Sequence, residues 1–425
     1  MLQLDIQNIL KKKIGSNNGI SDLMLNNFCS KNGKLVKQVF RNKNKLGYDF
    51  LNLPDDSALL RKIKKFVTEQ KRNKWENIIV LGIGGSALGA IAIRDALLPA
   101  FNQKPRLIVL DNIEPKYTAD LFDDLNLSKT LFVVISKSGT TTEPMVLYGL
   151  AKERLMKKFP KNYQKHFVFI TDPKKGLLRK IAKKENITTF DIPPKVGGRF
   201  SVLSSVGLVP AALAGVDING LLKGAHLMRE AIKVKHPEKN PALLLASAQY
   251  LLDHKKSKSI TVMMPYSNAL FKVGDWYRQL LAESIGKNKD TGPTPVNALG
   301  TTDQHSQLQL YVEGPNNKLI IFLRILKHIS DPKLGDVLPK EIGYLNNKKM
   351  SIILDAAYTG TAESLAKHQT PNLTIEIPKV DAKNLGALFM LFEFQVALLG
   401  LLYKVDAFSQ PGVEHSKQIT KKLLS

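Results

Sequence analysis

Four separated segments carry groups that could act on one small molecule. Glu283 follows Gln279 by four residues in a run, Asp275 to Lys287, that reads as a helix ended by Gly286, so the two side chains share a face. Arg199 follows Gly197 and Gly198, which let backbone approach a ligand closely, and Phe200 and Ser201 lead on to the apolar helical stretch Val206 to Pro210. His305 ends the loop Gly300-Thr301-Thr302-Asp303-Gln304, and Gln410 and Lys417 flank the turn at Pro411-Gly412. Each has an ordinary reading when taken alone: a solvated helix face, a turn arginine, a structural histidine, a surface lysine. Together they offer a carboxylate base, a fixed cation for a developing oxyanion, and an imidazole suited to proton transfer near neutral pH.

A fifth segment, Ser136-Lys137-Ser138-Gly139-Thr140-Thr141-Thr142-Glu143, follows the apolar run Leu131 to Ile135 and precedes Pro144 to Tyr148. Strand, hydroxyl-rich loop and helix N-terminus form an anion-binding arrangement, because the first N–H groups of a helix lack partners. A small phosphorylated ligand is the expectation. Gly82-x-Gly84-x-x-Ala87 offers a rival, since it fits a relaxed dinucleotide fingerprint with Asp111 closing the next strand. An NAD-dependent oxidoreductase is therefore one alternative, and a non-catalytic sugar-phosphate sensor is another.

The elements around these segments alternate. Runs at 78–81, 107–110, 131–135 and 167–170 read as strands separated by helices, which implies a parallel sheet covered on both faces. A weaker set at 260–264, 319–323 and 351–354 implies a second α/β domain, with helices from about 217 to 252 joining the two. Residues 1–44 read as short helices and turns, and the last forty as helical with a break at 409–412. Leu385 to Tyr403 approaches membrane-spanning length, but Glu393 and Gln395 near its middle favour a buried core or dimer-interface helix.

The chain has 425 residues and a net charge of +25, with 62 Lys+Arg against 37 Asp+Glu. The basic residues are dispersed in short Lys/Asn runs without interleaved aromatics, which argues against nucleic acid and for a Lys/Asn-rich background. One cysteine, Cys29, excludes an internal disulfide, and the N-terminus lacks a signal-peptide pattern, so a cytoplasmic protein is expected. The sequence contains no HExxH, no Cys/His cluster and no P-loop.

In this order the segments resemble glucose-6-phosphate isomerase over roughly residues 76 to 420. The resemblance rests on Gly-Gly-Arg-Phe-Ser with its following helix, on Phe408 to Lys417, and on the intervening Gln-x-x-x-Glu and Gln-His elements. It implies two sugar-isomerase (SIS-type) α-β-α sandwich domains with parallel sheets: 1–44 as an N-terminal helical segment, 45–215 as the first domain, 216–400 as linker helices and second domain, and 401–425 as a helical tail completing the site. It implies that Ser136, Lys137 (largely through its backbone), Ser138 and Thr141 hold a sugar phosphate. Gly85 and Ser86 would line the sugar site, and Gln279 and Gln410 would orient the substrate. Glu283 matches the general base, Arg199 the group that stabilises an enediolate, and His305 and Lys417 the groups that assist ring opening. The reaction implied is interconversion of glucose 6-phosphate and fructose 6-phosphate by ring opening and proton transfer between C2 and C1, with no metal and no cofactor. The resemblance also implies a homodimer with His305 supplied across the interface, and no nucleic-acid or membrane partner.

Overall fold

The computed structural model describes residues 2–234 and 236–425. The chain divides into two compact units: Met1–Arg41 with Glu230–Val380 and Leu391–Ser425, and Asn42–Arg229 with Asp381–Met390. This partition differs from the linear segments 1–44, 45–215, 216–400 and 401–425. Among the described residues the strands are β1 Gln3–Asp5, β2 Asn77–Leu81, β3 Arg106–Leu110, β4 Thr130–Ile135, β5 Phe167–Thr171, β6 Thr188–Asp191, β7 Ile260–Pro265, β8 Thr294–Asn297, β9 Lys318–Ile325 and β10 Asn372–Ile377.

In the unit built on 42–229, β2 to β6 form a wholly parallel sheet in the order β3-β2-β4-β5-β6. β2, β4 and β5 are buried at every residue, as expected of strands covered on both faces. The chain runs from β2 outward to β3 and then returns to β4 on the other side of β2. That reversal makes the C-terminal ends of β2 and β4 the switch point of the sheet, where open α/β sheets take ligands. The two expected ligand loops, Gly82 to Ser86 and Ser136 to Thr141, leave those two strand ends.

The other unit has the order β1-β10-β9-β7-β8, parallel except for β1, which pairs antiparallel with β10. Two expectations need correction here. Ser351 to Leu354 is not a strand but the start of the helix Met350–Lys367. A short apolar run fits either element, and this helix buries Tyr358, Thr361, Ala362, Leu365 and Ala366 at helical spacing while leaving Ile352 exposed. Asp331 accepts from the Ser351 N–H (2.9 Å) and hydroxyl (2.6 Å) in the first turn. The N-terminal stretch also holds more than short helices and turns, since it supplies β1 and the twenty-residue helix Asp22–Arg41.

The apolar stretch is a helix, Ala382–Tyr403, long and apolar enough to span a membrane but 94% buried over its most apolar window. Gln395 donates to the Gln249 side-chain carbonyl (2.6 Å) and to the Tyr277 hydroxyl (3.2 Å), so its amide nitrogen is satisfied inside the core.

Candidate active site

One group of candidate site residues is built by the unit of the parallel sheet β3-β2-β4-β5-β6. Ser136 is buried at the end of β4, and its hydroxyl accepts the Gly139 N–H (3.0 Å) and pairs with the Thr141 hydroxyl (3.1 Å). Ser138 accepts from the Thr140 N–H (3.2 Å) and hydroxyl (3.1 Å). Gly139 turns the loop at φ +69°, and a Cβ there would lie 2.4 Å from the Leu178 nitrogen. The helix Thr142–Lys158 starts at once, and Thr141, its N-cap residue, makes no side-chain cap bond. The loop thus supplies hydroxyls beside a helix N-terminus whose N–H groups its cap residue leaves to other acceptors.

Lys137 has a different role from its hydroxyl neighbours. Its ammonium donates to the carbonyls of Pro194 (2.7 Å) and Val196 (3.1 Å), which straps the loop to the segment ahead of Gly197. Burial lowers its pKa, with the Asp172 charge acting in the opposite direction. Sequence reasoning gave no part to Pro194 or Val196, because backbone carbonyls carry no residue-type signal.

Gly85 lies in the turn Gly84–Ser86, which follows β2. A Cβ on Gly85 would fall 2.3 Å from the Gly198 carbonyl carbon and 2.7 Å from the Arg199 nitrogen. The glycine turn after β2 is therefore filled by the arginine's own backbone. Arg199 is buried, with its guanidinium 5.7 Å from the Phe200 ring. Within this unit the structure brings Gly85, Ser86, Ser136 to Thr141 and Arg199 onto connected loops at one end of the sheet.

A separate group of candidate residues belongs to the other unit. Gln279 and Glu283 lie on the helix Asn268–Ile285, and Gln279 donates to the Glu283 carboxylate (3.0 Å). The other amide atom of Gln279, Oε1, is buried without a hydrogen-bond partner. Asp275 anchors this helix to β8 by accepting from Asn297 (3.1 Å), and Gly274 lets the two pack closely. Lys287 donates to the Glu283 backbone carbonyl (2.5 Å) and to the Ser409 carbonyl, which ties the end of the base-bearing helix to the residue before Gln410. No side-chain pattern in the sequence singles out that lysine.

His305 caps the short turn Thr302–Gln304 and is exposed. Asp303 fixes this turn by accepting from the Leu299 N–H (2.6 Å) and the Ser306 hydroxyl. Burial pulls the Asp303 pKa up, but hydrogen bonds from Ser306, Gln307 and the Leu299 N–H outweigh it and leave the carboxylate below its usual range. Gln410 precedes the turn Pro411–Val413, and Lys417 lies on the exposed helix Glu414–Leu423, paired with Glu414 (2.7 Å). Among the described residues no three or more His, Cys, Asp or Glu are grouped to hold a metal ion.

A parallel sheet with a hydroxyl loop at its switch point in one unit, and a Gln–Glu pair on a helix beside a second, mainly parallel sheet in the other, define an α/β protein built of two sheet-bearing units. The profile of the family "Phosphoglucose isomerase" matches residues 47–332 and 347–425. The chain is 40% identical over 402 residues to a glucose-6-phosphate isomerase of Carboxydothermus hydrogenoformans, covering 90% of this chain and 86% of the relative. A hypothetical protein of Thermus thermophilus superposes with a TM-score of 0.89 at 33% identity, covering 100% of both chains. A glucose-6-phosphate isomerase of Chlamydia trachomatis superposes with a TM-score of 0.84 at 21% identity over 100% of this chain and 88% of its own, a likeness of fold. The chain belongs to the phosphoglucose isomerase family.

Proposed function

We infer that the chain interconverts glucose 6-phosphate and fructose 6-phosphate, with Glu283 as the base that carries the proton between C2 and C1. Family membership supports the reaction. The observation that carries the assignment of the base is the Gln279–Glu283 hydrogen bond (3.0 Å), which fixes a carboxylate beside a half-satisfied amide. The Ser136 to Thr141 loop takes the phosphate through hydroxyls and helix N–H groups, with Lys137 holding the loop rather than the ligand. Gly85 and Ser86 line the sugar site, Arg199 stabilises the enediolate, and Gln410 orients the substrate. His305 and Lys417 assist ring opening.

The same reading makes the protein a homodimer in which His305 reaches the partner's site. His305 is exposed, and so are Ile329, Val337 and Tyr344 between β9 and the helix Met350–Lys367. Large apolar side chains in such number suit a protein interface. A cytoplasmic location completes the reading, since Cys29 is buried and unpaired, as suits a reducing compartment.

The test is a coupled assay with fructose 6-phosphate. Glu283→Gln is expected to lower kcat by at least roughly 10²-fold, the usual scale for a general base, with KM near normal. Full activity in that variant removes Glu283 as the base.

A further inference from the structure

The parallel sheet has a cavity at the end away from its switch point. It encloses about 520 Å³ and is lined where β4, β5 and β6 begin, by Leu131, Phe167, Val168 and Thr188. That volume falls in the range of small-molecule sites. The loops of the candidate active site leave the opposite ends of the same strands, so one strand length, roughly 17–20 Å, separates the two places.

We propose that this cavity is a binding site for a nucleoside monophosphate, distinct from the isomerase site. Its wall includes Trp75, whose indole N–H donates to the Gln70 side-chain carbonyl (3.0 Å) and whose ring meets His166 edge-on at 5.3 Å. A ring held on two sides is a rigid platform for a flat heterocycle. His166 is itself pinned, with Nδ1 donating to the Thr130 carbonyl (3.0 Å) and Phe159 stacked on it at 4.9 Å. In the neutral ring that bond leaves Nε2 as an acceptor, and burial lowers the imidazole pKa against the opposing pull of the Thr130 hydrogen bond.

The rim supplies the rest. Gln164 and Asn186 line the cavity, and each amide carries donors and an acceptor of the kind that matches a base edge. Asn73 and Trp75 both donate to the Gln70 side-chain carbonyl, which leaves the Gln70 NH2 group as a further donor. Arg72 and Lys165 stand against one carboxylate, Glu69, so the lining is net positive and suited to a phosphate. Phe66 backs the cavity from within the core, while Trp75 is only partly covered by the protein, so a flat ring system would complete the cover of the indole where a bare sugar phosphate would not.

Equilibrium dialysis of the full chain against labelled adenosine 5′-monophosphate tests this, run with and without excess fructose 6-phosphate. Saturable binding that persists with the sugar phosphate is expected, and Arg72→Ala with Lys165→Ala should weaken it at least about tenfold. Isomerase activity of that double variant should be unchanged, because both residues are exposed and lie at the other end of the strands. Trp75→Leu should also weaken binding. No saturable binding, displacement by fructose 6-phosphate, or equal binding by the Arg72→Ala/Lys165→Ala protein would overturn the proposal, whatever the isomerase assay shows.

Discussion

Glu393 is fully buried in the helix Ala382–Tyr403, and neither carboxyl oxygen has a hydrogen-bond partner. Burial raises its pKa well above the ordinary value, so the folded protein holds the proton that the unfolded chain releases above about pH 4.3. The sign follows from linkage. Below that pH both states are protonated and the group is neutral in its effect, while above it the folded state binds more protons and stability falls until the folded pKa is passed. Glu393→Leu should therefore raise stability at pH 7, by about 1–3 kcal/mol, the scale of an unsatisfied buried polar group. Thermal unfolding at pH 4 and pH 7 checks this, with the gain larger at pH 7. Gln395, two residues on, shows why sequence alone could not separate the two. Both are polar groups in an apolar run, yet only Gln395 meets Gln249 and Tyr277.

At the scale of elements, the strand–loop–helix unit from β4 to the helix Thr142–Lys158 was legible, because apolar run, hydroxyl loop and Pro144 are all local signals. Its loop bonds predict a split effect. Ser136→Ala with Thr141→Ala removes hydroxyls offered to a phosphate, so KM for fructose 6-phosphate should rise about tenfold or more, the cost of one or two charge-assisted hydrogen bonds. Melting temperature should change little, since β4 keeps its ladder to β2 and β5; an unchanged KM removes the phosphate role from this loop. The helix start at Met350 was not legible. Ser351 to Leu354 looks like a strand locally, and what decides otherwise is a capping carboxylate twenty residues earlier and a buried face that begins at Tyr358. β10 carries a strand signature in the strict polar–apolar alternation of Asn372 to Ile377, but only tertiary pairing with β9 and β1 buries most of both sets.

For the molecule as a whole, the proposed exchange of His305 between subunits has a direct test. Glu283→Gln and His305→Ala chains, each inactive, are mixed, unfolded and refolded together. If each site takes its histidine from the partner, a mixed dimer has one intact site, and about a quarter of normal activity should return. If each site uses its own His305, every site carries a defect and no activity returns. The sequence could place His305 beside Gln304 but could not say whose site it serves, because subunit contacts leave no local pattern. The family profile leaves residues 333–346 unmatched, and the exposed Val337 and Tyr344 fall within that gap.

The closeness of Gly85 to the Gly198 carbonyl also has a genetic consequence. Every missense change of a glycine codon introduces a side chain, and any side chain begins with the Cβ that would sit 2.3 Å from the Gly198 carbonyl carbon. The obstacle is backbone, so no rotamer change can make room. Every single-nucleotide missense change at this codon is therefore expected to force the Gly82–Ser86 turn and the Gly198–Arg199 backbone apart, while only its synonymous third base is free to change.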